Sequence, residues 1–156
     1  MAKKKISSSK EMGSIPDLLA HFLADTLVVY FKTLNFHWNM VAPQFFMYHK
    51  LLEEQYKELQ GAADDIAERI RMLRKKAPGS MKEMLTLASL KESPSSLKGD
   101  QMVKELVHAH EEMVKKSHAL IQYAEAQKDQ GTSDMMIERL RFHDKQAWLL
   151  RSHFSA

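Results

Sequence analysis

Two histidines, His37 and His49, stand twelve positions apart in "FHWNMVAPQFFMYHKLLEE", on either side of a proline-marked turn, and Glu53 follows the second by four. Eleven residues on comes Asp64, and four beyond it Glu68. Histidine and acid one helical turn apart share a helix face and reach a common ion, the elementary unit of a metal site. The chain has no cysteine, which excludes disulfides, iron–sulfur clusters and thiolate zinc sites. The available donors are therefore imidazole nitrogen and carboxylate oxygen. Such a set suits Fe(II), with Zn(II), Co(II) and Mn(II) as competitors.

Geometry limits how these donors combine. With His49 at 0° on a helical wheel, Glu53 falls near ~40°, Asp64 near ~60° and Glu68 near ~100°, beside an apolar stripe at roughly 240–340°. Taken singly, each polar residue reads as a solvated flank. Between Glu53 and Asp64, however, lie roughly 16 Å of helix, so no single ion touches both clusters in one chain. Each cluster is half a site. If two copies of this helix cross antiparallel near residues 58–59, His49 and Glu53 of one face Asp64 and Glu68 of the other. An isologous interface then creates two equivalent sites. His37, just before the turn, comes level with His49 just after it and joins the histidine half.

The elements needed to hold these residues are helices. Glycines number only five and prolines four, while Ala, Leu, Met, Glu, Lys and Gln abound, a composition that favours helix. Ser14, Pro16 and Asp17 signal a helix start, and apolar residues recur at helical spacing from there to about Asn39. Pro43 opens a second helix reaching about Arg74. The link 77–99 contains "MKEMLTLASL", which predicts a short extra helix. A third long helix covers about 100–128; Gly131 is expected to stop it, and Thr132 or Ser133 to cap a fourth over about 133–153. The expected fold class is all-α: a four-helix bundle over residues 14–156, with the short helix in the long connection between helices two and three.

"KTLNFHWNMVAPQFFMYHKLLEEQYKELQGAADDIAERI" resembles the signature of Dps proteins, the mini-ferritins described as DNA-binding proteins from starved cells. His37–Trp38, His49, Glu53, Asp64 and the "AER" Glu68 stand at the family's spacings, and "GTSDMMIERLRFHDKQAWLLRSHF" resembles its last helix. The similarity spans about residues 15–154. It implies a ferritin-like bundle and a hollow homododecamer with ferroxidase sites at two-fold dimer interfaces. His37, His49 and Glu53 would come from one subunit, Asp64 and Glu68 from its partner. It further implies oxidation of Fe(II) by hydrogen peroxide in preference to oxygen, and storage of ferric oxide in the cavity. Two positions depart from the family pattern: Glu53 stands where Asp is common, and Ala42 where glycine is usual.

Other residues receive plainer readings. Trp38 is either packing beside His37 or a radical sink, and Glu54 is either an exposed helical acid or a nucleation point for mineral. Glu105 and His108 form a single Glu-x-x-His, the element of di-iron sites inside one bundle, but no second one exists to complete it. His108, His110 and His118 are expected at a surface or an interface. Asp134 and Glu138 either favour a helix N-terminus or, as the resemblance implies, line a three-fold pore through which iron enters.

The charge is uneven. Of a net +3, residues 1–10 carry +4 from Lys3, Lys4, Lys5 and Lys10, so the rest sums to −1. Residues 1–13 read as a mobile Lys/Ser-rich tail, and twelve such tails would present about 48 cationic side chains to DNA phosphates. No base-reading motif is visible, so that binding is expected to ignore sequence. With no apolar run of membrane length and no signal-peptide core, the expected location is cytoplasmic, nucleoid-associated if the tail holds DNA. The principal rival is an architectural DNA-binding helical protein with a vestigial metal site; an intrabundle di-iron oxidase and a metal-free interaction module follow it.

Overall fold

A computed structural model describes residues 13–94 and 96–154, which form five helices: α1 (Ile15–Asn39), α2 (Phe45–Met72), α3 (Met81–Leu87), α4 (Gly99–Ala126) and α5 (Gln130–Arg151). No strand occurs among the described residues. The long helices form two antiparallel hairpins, α1 with α2 and α4 with α5, and α1 also packs on α4 and on the short α3. The expected four-helix bundle with its small extra helix is the observed architecture. The expected tail lies outside the described residues except for Gly13.

The periodic apolar positions face inward. Leu19, Phe22, Leu23, Leu59, Ile66, Ile70, Met113 and Met136 fill one end of the core. Phe36, Tyr48, Leu52, Val103, Leu106 and Leu150 fill the other, beneath the α1–α2 turn. Each fully buried aliphatic or aromatic side chain contributes about 1.5–3 kcal/mol, which makes this stripe, rather than helix propensity, the main source of stability.

Local side-chain signals set several of the helix ends. At α1 the Asp17 carboxylate accepts the Ser14 backbone N–H at 3.0 Å, with Pro16 in the first turn, and Ser80 with Glu83 forms a reciprocal capping box at α3. Pro43 lies in the turn, and α2 begins at Phe45. The start of α5 corrects the expectation. Its cap is Asp129, whose Oδ1 accepts the Thr132 backbone N–H at 3.0 Å, while Thr132 and Ser133 are buried inside the first turn. Nor does Gly131 stop α4; the reversal falls at Lys128, with φ of 60°. The physical reason is Arg69. Its Nη2 reaches Asp129 Oδ1 at 2.6 Å and its Nε donates to Thr132 Oγ1 at 3.0 Å. A Cβ on Gly131 would come within 2.9 Å of that guanidinium. Glycine lets the guanidinium lie this close, and the clamp ties the end of α2 to the start of α5.

Candidate metal centre

The α1–α2 hairpin brings His37 and His49 face to face. Their rings stack with centroids 3.8 Å apart and planes 15° from parallel. His37 Nδ1 lies 2.9 Å from the His49 carbonyl oxygen, and His49 Nδ1 lies 3.1 Å from the His37 carbonyl oxygen. A carbonyl only accepts, so each Nδ1 carries the proton and each neutral ring keeps its lone pair on Nε2. The hairpin thus fixes both imidazoles in the tautomer a metal ligand requires, with the second nitrogen oriented by a backbone carbonyl as metal-binding histidines usually are. Tyr56 sets its ring edge against His37 at 5.1 Å, and Phe45 tilts over His49 at the same centroid distance.

Glu53 stands one turn beyond His49 on α2. Lys57 Nζ lies 2.6 Å from its Oε1 and Lys50 Nζ 3.3 Å from its Oε2. The Lys57 hydrogen bond, then that of Lys50 and the charges of both, hold the carboxyl down at about 2. Asp64 and Glu68 lie further along the same helix, exposed, and among the described residues neither makes a hydrogen bond or ion pair. Asp64 borders a depression towards α1 and α3, whereas Glu68 borders one towards α5 with Asp65, Asp134 and Glu138. The chain therefore brings His37, His49 and Glu53 to one end of α2 and leaves Asp64 and Glu68 uncommitted at the other. Among the described residues, no three histidine, aspartate or glutamate side chains of one chain converge to hold an ion.

A profile of the Ferritin-like domain family matches residues 16–156. DNA protection during starvation protein 2 of Bacillus anthracis is 33% identical over 136 residues, 87% of this chain and 93% of that one. An uncharacterized low temperature-induced protein of Nostoc sp. is 37% identical over 148 residues, 93% of this chain and 82% of its own. The crystal structure of Dps from Staphylococcus aureus superposes with a TM-score of 0.89 at 30% identity, covering 94% of this chain and 98% of that one. The chain belongs to the Dps family.

Within this Dps chain several other expectations are settled. Trp38 does not pack within the chain; it is 65% exposed, on the outward side of a last turn whose Phe36, His37 and Met40 are buried. Glu105 and His108 do not form a site either: Glu105 accepts the buried Lys32 ammonium at 2.6 Å, and His108 is exposed. His118 is exposed as expected, but His110 is not at a surface. It is fully buried and hydrogen-bonded, Nδ1 to Nδ1 at 2.8 Å, with His143. Its spacing from Leu106 and Met113 places it on the inward face of α4 despite its polarity. Gln55, at about 240° on the α2 wheel, likewise sits inside the stripe and is buried. Asp134 and Glu138 are exposed on α5. Among the described residues no helix is long and apolar enough to cross a membrane.

Proposed function

We propose that this Dps protein oxidises Fe(II) at ferroxidase sites shared between two subunits and stores the ferric product inside a homododecamer. The observation that carries this reading is the division of α2. One end presents two imidazoles locked with Nε2 available, together with Glu53; the other presents two unpaired, exposed carboxylates. An antiparallel meeting of two α2 helices brings the halves opposite each other, and closed two-fold symmetry makes both sites equivalent. Gly61 supports such a meeting. It lies in mid-helix between the two halves, and nothing within 4 Å would obstruct a Cβ there. The fold of one chain gives no reason for a glycine that costs about 1 kcal/mol of helix stability, whereas a closely approaching second helix does.

In chemical terms the residues fit iron as substrate: neutral imidazole nitrogens and ionised carboxylates, with no thiolate. His37 and His49 donate through Nε2, Glu53 supplies the nearer carboxylate once Lys57 and Lys50 yield it, and Asp64 and Glu68 of the partner subunit complete the set. Two Fe(II) ions give two electrons to one hydrogen peroxide, which with two protons leaves as two waters and forms no hydroxyl radical. The Asp64→Ala/Glu68→Ala variant, whose substitutions are surface changes in the lone chain, should fold normally and lose peroxide-dependent Fe(II) oxidation by at least about tenfold. Wild-type rates in that variant would remove these carboxylates from the reaction. They would also favour the rival reading, a DNA-binding helical protein whose metal site is vestigial.

DNA binding belongs to the tail in this reading. Lys3, Lys4, Lys5 and Lys10 hold the surplus positive charge of the chain, and phosphate contacts of that kind weaken steeply with salt. Deleting residues 2–10 should abolish gel shifts of duplex DNA and leave iron oxidation intact. Undiminished shifts in the truncated protein would place the DNA contact on the helical body.

A further inference from the structure

A polar layer crosses the bundle interior away from the metal centre. His110 of α4 and His143 of α5 are both fully buried and share one hydrogen bond, Nδ1 to Nδ1, at 2.8 Å. The Nε2 atoms of both rings have no partner among the described residues, and neither do Gln55 Oε1 and Glu58 Oε2 of α2. Around the pair, α1 contributes the edge of Phe22 and α5 the edge of Phe142. From α2, Gln55 donates to Gln146 at 2.9 Å. The charged neighbours are Arg139, one turn before His143, and Glu58, whose Oε1 lies 2.6 Å from Arg139 Nη1; the exposed Glu138 reaches the same guanidinium at 3.4 Å. Arg139 is thus the cation that bears on His143, and Glu58 is already committed to it.

The shared bond dictates the proton inventory. One ring donates from Nδ1 and keeps a bare Nε2; the other accepts at Nδ1 and carries its proton on Nε2. A first added proton goes to the bare Nε2 and places a charge in a buried layer that also holds Arg139. A second makes both Nδ1 atoms donors that face each other, and the bond is lost. Burying a charge without a partner is costly, so the closed bundle resists either proton.

We propose that the His110–His143 pair is an acid-triggered latch that joins α4 to α5 at neutral pH and releases them when the medium forces protons onto it. Burial pushes His110 down to about 3. His143 is held well below its usual value by burial first, then by His110 and Arg139. In the unfolded chain both titrate near ~6.5. Stability is therefore complete above that pH and falls as pH drops, because the unfolded chain takes up protons the bundle refuses. The folding constant drops by about tenfold per pH unit for each histidine in that window. Carboxylates held low, such as Asp17, Glu83 and Asp129, lose their contribution only below the ordinary carboxyl range of about 4. Burial raises Glu58, which acts in the opposite sense. Between about pH 5 and 6.5 those carboxylates stay charged, and replacing both histidines of the pair reads out its own share.

Urea unfolding of the assembled full-length protein, at one fixed protein concentration, tests this. Wild type should lose on the order of a hundredfold to a thousandfold in folding constant between about pH 7 and 5. The His110→Leu/His143→Leu variant, which removes both unpartnered Nε2 atoms, should be at least as stable at neutral pH and flat across the interval. A flat wild type, or a variant that keeps the full loss, overturns the latch. If the variant does not fold, hydrogen exchange at the imidazole C2 position of the wild-type protein reads each histidine separately. Midpoints for His110 and His143 below about 5 support the proposal, and midpoints near the ordinary ~6.5 overturn it. Neither residue belongs to the metal centre, so the result is independent of the iron reading.

Discussion

His37 and His49 fix each other: each donates its Nδ1 proton to the other's backbone carbonyl, so neither ring needs a carboxylate to set its tautomer. Glu53 is differently placed. Its arm is one methylene longer than the Asp common at this position in the family, and the carboxylate lies with Lys57 at 2.6 Å. In the proposed site, a metal would take that oxygen from a lysine. Lys57→Ala should let the Glu53 carboxyl rise from about 2, as read by its carbon chemical shift in an NMR titration. The same variant should tighten Co(II) binding by about two- to fivefold, the scale of one exposed ion pair. Unchanged affinity would show that the lysine does not compete. Because its carboxyl is depressed, Glu53 keeps its charge above the ordinary carboxyl range and loses it only as pH falls towards about 2. Any earlier loss of metal binding on acidification belongs to other ligands.

At the scale of elements, α2 carries both halves of the proposed site, and Gly61 is its pivot. Gly61→Ala should stabilise the dissociated chain by about 1 kcal/mol, since a helical alanine replaces a glycine and nothing in the chain obstructs its Cβ. The same change should weaken the dimer, measured by sedimentation at falling protein concentration. A variant that gains in both would mean that α2 meets no second helix at Gly61. The helices themselves were legible because their apolar periodicity is continuous: Leu19, Phe22, Leu59, Ile66 and Ile70 are buried where the pattern puts them. The start of α5 was not legible, because its cap depends on Arg69, sixty residues from Asp129 in the chain, and local signals at Thr132 and Gly131 pointed elsewhere. The polar core was missed for a related reason. His110 and Gln55 obey the inward spacing, but only their partners, His143 and Gln146, make burial tolerable.

For the whole molecule, the end of the bundle beside the α1–α2 turn is the part a lone chain explains least. Trp38, Val41 and Phe46 are 65%, 87% and 73% exposed there, an apolar patch of the kind that marks an interaction surface. The proposed assembly of copies accounts for such surface. Fold alone does not decide this, because ferritin-like bundles also build sites within one chain. The decisive measurement is complementation by co-assembly. A His37→Ala/His49→Ala chain and an Asp64→Ala/Glu68→Ala chain, each inactive alone, are mixed in equal amounts and reassembled, and peroxide-dependent Fe(II) oxidation is measured. Random pairing across a two-fold interface rebuilds one complete site in each mixed dimer, so about a quarter of wild-type activity should return. Mixed particles as inactive as their parents would contradict the shared site.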